Sequence, residues 1–143
     1  MALQATLYFG DNEIGKYNSQ YRLVNFSMMS SRDYNNSITF GVPTCDEITA
    51  TLIAPDMTDL NLYDWYITKA ELSGKIHVEY TCVAGHDELQ QKDIAFEDAQ
   101  CLSIREQYDI ADEARRQIII RFMATKVVNS AITLNYRNVY GHE

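Results

Sequence analysis

The chain has 143 residues, 46% of them hydrophobic, enough to bury a core and far from the composition of a disordered segment. Its net charge of −8, from 12 basic and 20 acidic residues, leaves no basic footprint for phosphates and excludes an ordinary nucleic-acid binder. The same balance disfavours docking on an anionic membrane, and no apolar run approaches the length that spans a bilayer.

The opening, "MALQATLYFGDNEIGKY", has no basic region followed by a long apolar one. The expectation is a protein made in the cytoplasm without a Sec-type signal. Length predicts one domain over residues 1–143. Cys45, Cys82 and Cys101 are odd in number and form no CxxC pair, so they read as reduced thiols used as small apolar residues.

Period two dominates. In "ALQATLYF", Leu3, Ala5, Leu7 and Phe9 share one strand face. Gly10, Asp11 and Asn12 give turn chemistry. "YRLVNFSMM" predicts a second strand with Val24, Phe26 and Met28 on one face. "SSRDYNNS" reads as a polar loop, "ITFGV" as a short strand ending at Pro43, and "EITATLIA" as another ended by Pro55.

One stretch is helical, Thr58 to Ala70. Thr58 is placed to cap it, Asp59 favours its first turn, and Lys69 closes its last. Leu60, Tyr63 and Ile67 follow helical spacing. Ser73-Gly74 then reads as a break.

Further strands follow. "GKIHVEYTCV" sets Ile76, Val78, Tyr80 and Cys82 against Lys75, His77, Glu79 and Thr81. "AGHDELQQ" reads as a turn. "KDIAFEDAQCLSIREQYD" predicts a return strand bent near Asp98-Ala99. "RRQIIIRFMAT" sets Ile118, Ile120, Phe122 and Ala124 against Gln117, Ile119, Arg121 and Met123; "SAITLNYRN" is last. Eight or nine strands with short turns and one helix predict a mainly β antiparallel barrel or sandwich, with the helix over a barrel mouth or one edge. A strand of a lone barrel needs one apolar face. Ile119 and Met123 therefore predict that the outer face is also covered, by the helix or by another subunit.

Catalytic chemistry is hard to find. Glu97, Asp98, Glu106 and Asp109 could supply an acid–base pair. Residues at odd separation on a strand face apart, so Glu97 and Glu106 do not converge unless a bulge intervenes. His77, His86 and His142 show no ligand spacing. No GxSxG, GxxxxGK[ST] or GxGxxG motif occurs. The ten tyrosines read first as packing residues. The residues point to a binding or structural β-domain, not an enzyme, with no essential metal.

The order of segments resembles the Bacteroidetes-type Hcp (TssD) family, the tube protein of type VI secretion. Lys92, Phe96-Glu97-Asp98-Ala99, Cys101, and Glu106 with Tyr108 match its strand pattern, and "RRQIIIRFMATKVVNSAITLNY" its final hairpin. The opening through Ser31-Arg32-Asp33 and the helix with Leu62, Trp65 and Tyr66 have counterparts, so the resemblance spans essentially the whole chain. It implies a barrel with one flanking helix, no catalytic residues and no cofactor, and homo-hexameric rings stacked into a tube. It also implies partners among sheath, baseplate or spike proteins and effectors, with export through the machine and no signal peptide. Ile119, Arg121 and Met123 become candidates for the subunit interface. Met29, Arg32, Asp33 and Tyr34 sit where the family's ring-stacking loop begins. That loop is usually longer and ends in glycines; the short "SSRDYNNSITFGV" predicts weak stacking. Two other readings stand beside this one: a tail-tube protein of a phage or other contractile particle, and a monomeric barrel that binds carbohydrate or a small ligand through its tyrosines.

Overall fold

A computed structural model describes residues 2–31, 34–35, 38–39, 44–83, 87–111, 115–129 and 132–135. Strands β1 (Ala2–Asp11), β2 (Lys16–Ser31), β3 (Tyr34–Asn35), β4 (Ile38–Thr39) and β5 (Thr44–Ile53) precede the helix α1 (Asn61–Thr68). Strands β6 (Leu72–Val83), β7 (Asp87–Asp109), β8 (Arg115–Met123), β9 (Lys126–Asn129) and β10 (Ile132–Asn135) follow it. The order β7-β6-β1-β2-β5-β8 is closed by the pairing of β8 with β7, which makes an antiparallel barrel. β9 extends the ladder on β7, β10 pairs with β9, and β3 with β4 forms a separate short ribbon.

Two long strands turn the corners. β2 pairs with β1 up to Arg22 and with β5 from Leu23. β7 pairs with β6 up to Ala99 and with β8 from Gln100. Each corner carries irregular register, as a sharply bent strand requires. The predicted bend is at Asp98, whose φ of 52° is left-handed for a residue with a Cβ. Its N–H is held by the Ser73 hydroxyl at 3.1 Å. The register break between Leu23 and Asn25 corrects the prediction for Val24: Leu23 is buried, Val24 is exposed, and Phe26 and Met28 pack on the core. An extra residue in a strand shifts which side chains face inward.

Leu7, Ile48, Leu52, Ile76, Phe96, Ile118, Ile120 and Phe122 fill the interior. Phe9, Trp65, Phe96 and Phe122 contribute edge-on and tilted ring contacts there, with centroids 5.1–6.0 Å apart.

Ser73 and Gly74 do not break the chain; they lie inside β6. Gly74 is needed because a Cβ there would come within 1.9 Å of the Tyr8 carbonyl oxygen. Asp87 to Gln91 likewise belong to a strand, not a turn, because β6 and β7 pair as far as Val83 and Asp87.

The helix is shorter than predicted. Thr58 does not cap it: its N–H and hydroxyl both donate to Asp56, at 2.9 Å. Asp59 instead accepts from the N–H of Asn61 at 3.0 Å. Lys69 adopts the left-handed conformation that ends many helices. The helix also turns the other way from the spacing of Leu60 and Ile67. Leu62 and Trp65 are buried, while Leu60 and Ile67 are exposed. The larger indole takes the interior, because its ring finds aromatic partners and its N–H finds the Ala99 carbonyl at 2.9 Å.

Candidate functional site

The carboxylates of the Phe96–Asp109 stretch part company. Phe96 is buried, so Glu97 points outward, where it accepts from the Asn12 amide at 2.8 Å. The same amide reaches the carbonyls of Gly74 and Phe96, and Tyr17 donates to Asn12 at 2.7 Å, so the group pins the β1–β2 turn to the barrel. Two bulges separate Glu97 from Glu106, at Asp98 and between Cys101 and Ser103. Each reverses the alternation, so together they restore it, and Glu106 lies on the inner side with Ile104.

Glu106 sits at the rim beneath α1. Tyr63 donates to it at 2.5 Å, Tyr108 at 2.8 Å and the Arg116 Nε at 2.9 Å. These hydrogen bonds hold its carboxyl down at about 2 and push the Tyr63 hydroxyl up to about 12. Arg116 also donates to the Pro55 carbonyl at 3.2 Å. The group ties helix, β7, β8 and the segment before the helix together. With every oxygen of Glu106 engaged, its chemistry is that of a clasp.

His77 lies on the outer face of β6, between Asp93 at 2.6 Å and Glu79 at 3.2 Å. The two carboxylates meet opposite ring nitrogens, so they do not converge on one point. Burial works to raise the Asp93 carboxyl, but its bonds to His77 and Lys75 outweigh that and lower it. Lys75 stands over the rings of Tyr8 and Tyr17, 5.5 and 5.0 Å from their centroids. Neither this cation–aromatic cluster nor the Glu106 clasp was legible as a unit in the sequence. Cross-strand register brings Tyr8 to Lys75 and His77 to Asp93, and register is set by the turns. Burial pushes the Cys101 thiol up to about 11, in keeping with a small apolar packing residue. His86, His142, Arg32 and Asp33 lie outside the described residues.

An open cleft of about 1190 Å³ runs beside α1, with Glu13, Asp64, Glu71 and Glu97 on its walls. Among the described residues no three metal-ligating side chains gather. No helix among them is long and apolar enough to cross a membrane.

The outer face of β5, β8 and the second half of β7 is of another kind. Ile118, Ile120 and Phe122 point inward, so Ile119, Arg121 and Met123 point outward. Thr49 and Thr51 of β5 lie opposite Arg121 and Ile119, and Arg105 of β7 lies opposite Ile119 on the other side. Arg121 makes a two-pronged bond to Glu47, at 3.0 and 3.2 Å. The helix does not account for this face, because Leu62 and Trp65 insert on the inner side of the barrel. Met29, near the end of β2, is exposed; Tyr34 begins the β3–β4 ribbon.

No family model matches the sequence, and no curated protein matches it. Solved structures do match in fold. Hcp1 from Flavobacterium johnsoniae aligns with a TM-score of 0.63 at 16% identity, over 92% of this chain and 98% of that one. A further Hcp protein gives 0.66 at 12% identity, over 95% and 99%. A type VI secretion system effector from Yersinia pestis gives 0.57 at 12% identity, over 94% and 98%. The chain has the Hcp fold, a closed antiparallel barrel with one flanking helix.

Proposed function

We propose that the protein is a structural tube subunit of a type VI secretion machine. It assembles into hexameric rings that stack into a hollow tube, take effectors into the lumen and leave the cell through the machine. The observation that carries the reading is the outer face of β5, β8 and β7. There Ile119 lies beside Thr51, and the half-buried Met123 follows four residues further along the same outward face, on a barrel whose interior is filled by other residues. The likeness to solved Hcp structures over nearly the whole chain supports it.

The reading gives the chain no catalytic step, cofactor or metal. Glu97 and Glu106 are structural acceptors in it, and Ile119, Arg121 and Met123 are interface residues. Met29, Arg32, Asp33 and Tyr34 form the face toward the next ring. The segment "SSRDYNNSITFGV" is short, so that contact is small, and single rings outnumber long tubes. Native mass spectrometry at micromolar concentration tests the reading, with negative-stain images of the same sample. Closed rings with a central hole are expected. A monomer at every concentration overturns it.

A further inference from the structure

The outward stripe of α1 is an apolar surface that no described residue covers. Leu60 is 58% exposed and Ile67 69%, with Met57 just before them at 71%. At helical spacing Leu60, Asp64 and Ile67 lie on one face, opposite the buried Leu62 and Trp65. Asp64 is the charge within that stripe, and its carboxylate has no hydrogen-bond or ion-pair partner among the described residues. The surrounding segment is acidic, with Asp56, Asp59 and Glu71 against Lys69 alone.

The outer barrel face has the converse pattern. Arg105 lies beside Ile119, and its guanidinium has no partner among the described residues. The neighbouring Arg121 is already neutralised by Glu47. Each surface thus carries apolar side chains around one unpaired charge, exposed on the helix and half-buried on the barrel, and the charges are opposite. The lengths agree as well. A helix rises ~1.5 Å per residue, which puts Leu60 and Ile67 ~10 Å apart; a strand rises ~3.3 Å, which puts Ile119 and Met123 ~13 Å apart.

We propose that the Leu60–Asp64–Ile67 stripe of one copy docks on the Arg105–Ile119–Met123 face of the next copy, with Asp64 paired to Arg105. This rests on the ring reading above and names the two surfaces that meet. Charge decides against the symmetric alternatives. Stripe on stripe would bring Asp64 against Asp64, and face on face would bring Arg105 against Arg105. Two different surfaces meeting head to tail generate a closed ring when the rotation closes, whereas like surfaces meeting would stop at a dimer.

A charge swap tests the pairing, read by native mass spectrometry across a concentration series. Asp64→Arg and Arg105→Glu should each raise the concentration needed for assembly by about tenfold or more. The double variant should return to within about threefold of wild type. Both side chains are exposed, so melting curves should stay near wild type; should Asp64→Arg destabilise the chain, Asp64→Lys with Arg105→Asp makes the same comparison. Single variants that assemble like wild type overturn the pairing and leave the ring reading standing. So does a double variant as weak as the worse single, and rings then form through other surfaces or another partner covers the stripe. A wild type that never assembles overturns the ring reading and the pairing together.

Discussion

The indole N–H of Trp65 donates to the carbonyl oxygen of Ala99 at 2.9 Å and joins the helix to the bent corner of β7. Ala99 follows the left-handed Asp98, so its carbonyl is released from the regular ladder at the point where pairing passes from β6 to β8. A buried carbonyl without a partner is costly, and the indole supplies one while its ring packs on Phe9 and Phe122. Trp65→Phe should keep much of the packing and lose about 1–3 kcal/mol through the orphaned carbonyl. Trp65→Ala should lose about 3–5 kcal/mol. Urea titration of both variants checks the ranking; a Trp65→Phe protein as stable as wild type would show that the hydrogen bond contributes nothing.

Glu106 makes the fold sensitive to acid. Its carboxyl is held at about 2 by Tyr63, Tyr108 and Arg116, against an ordinary value of 4.5. A depressed carboxyl contributes stability that is complete above its unfolded value and is lost as pH falls through its folded one. Glu106→Gln should therefore lower the melting temperature by about 3 °C near pH 7, the modest size reflecting a rim position open to solvent. The two proteins should converge as pH falls from about 4.5 toward 2. Asp93 and Asp56 are also lowered, so some acid dependence should persist in the variant. Parallel melting curves across this range would remove Glu106 from the account.

At Asp98 the backbone pays for the corner. A left-handed residue with a Cβ costs roughly 1–2 kcal/mol, and glycine avoids it. Asp98→Gly should be neutral or stabilising by up to about 1 kcal/mol, and Asp98→Val destabilising by about 1–2 kcal/mol. Thermal melts in the order Gly, Asp, Val would bear this out. The reverse order would mean that the Asp98 side chain matters more than its φ.

Much of the barrel was legible because alternation is a local property. Ile118, Ile120, Phe122 and Ala124 are all buried as the period of two requires, and Ile76 and Phe96 follow suit. The bend at Asp98 was legible too, where the regular pattern of β7 falters. Bulges were not: the one after Leu23 turned Val24 outward, and the pair in β7 cancelled. The helix face was misread because Leu60 and Ile67 gave an apolar stripe as good as that of Leu62 and Trp65. Only the tertiary partners of the indole, Phe9, Phe122 and the Ala99 carbonyl, decide between them. At the candidate site, the outward Ile119 and Met123 were readable as a second apolar face. The Glu106 clasp and the Lys75–tyrosine cluster depend on register between distant strands, which the sequence does not display.

Ile119 and Ile120 are adjacent and identical, yet they serve opposite faces of one strand. Ile120 is fully buried against Ala50 and Ile104, its partners across β5 and β7. Ile119 lies half-buried on the outside between Thr51 and Arg105. Ile120→Ala should open a cavity and cost about 2–5 kcal/mol of folding stability. Ile119→Asp should cost the isolated subunit about 1 kcal/mol, since the carboxylate keeps access to water. In a ring the same carboxylate is desolvated against an apolar neighbour, and assembly should weaken by about tenfold or more. Denaturant melts give the first quantity and sedimentation velocity the second. An Ile119→Asp protein that melts near wild type and no longer forms rings places the interface on this face. One that still forms rings at wild-type concentration moves the interface elsewhere on the barrel.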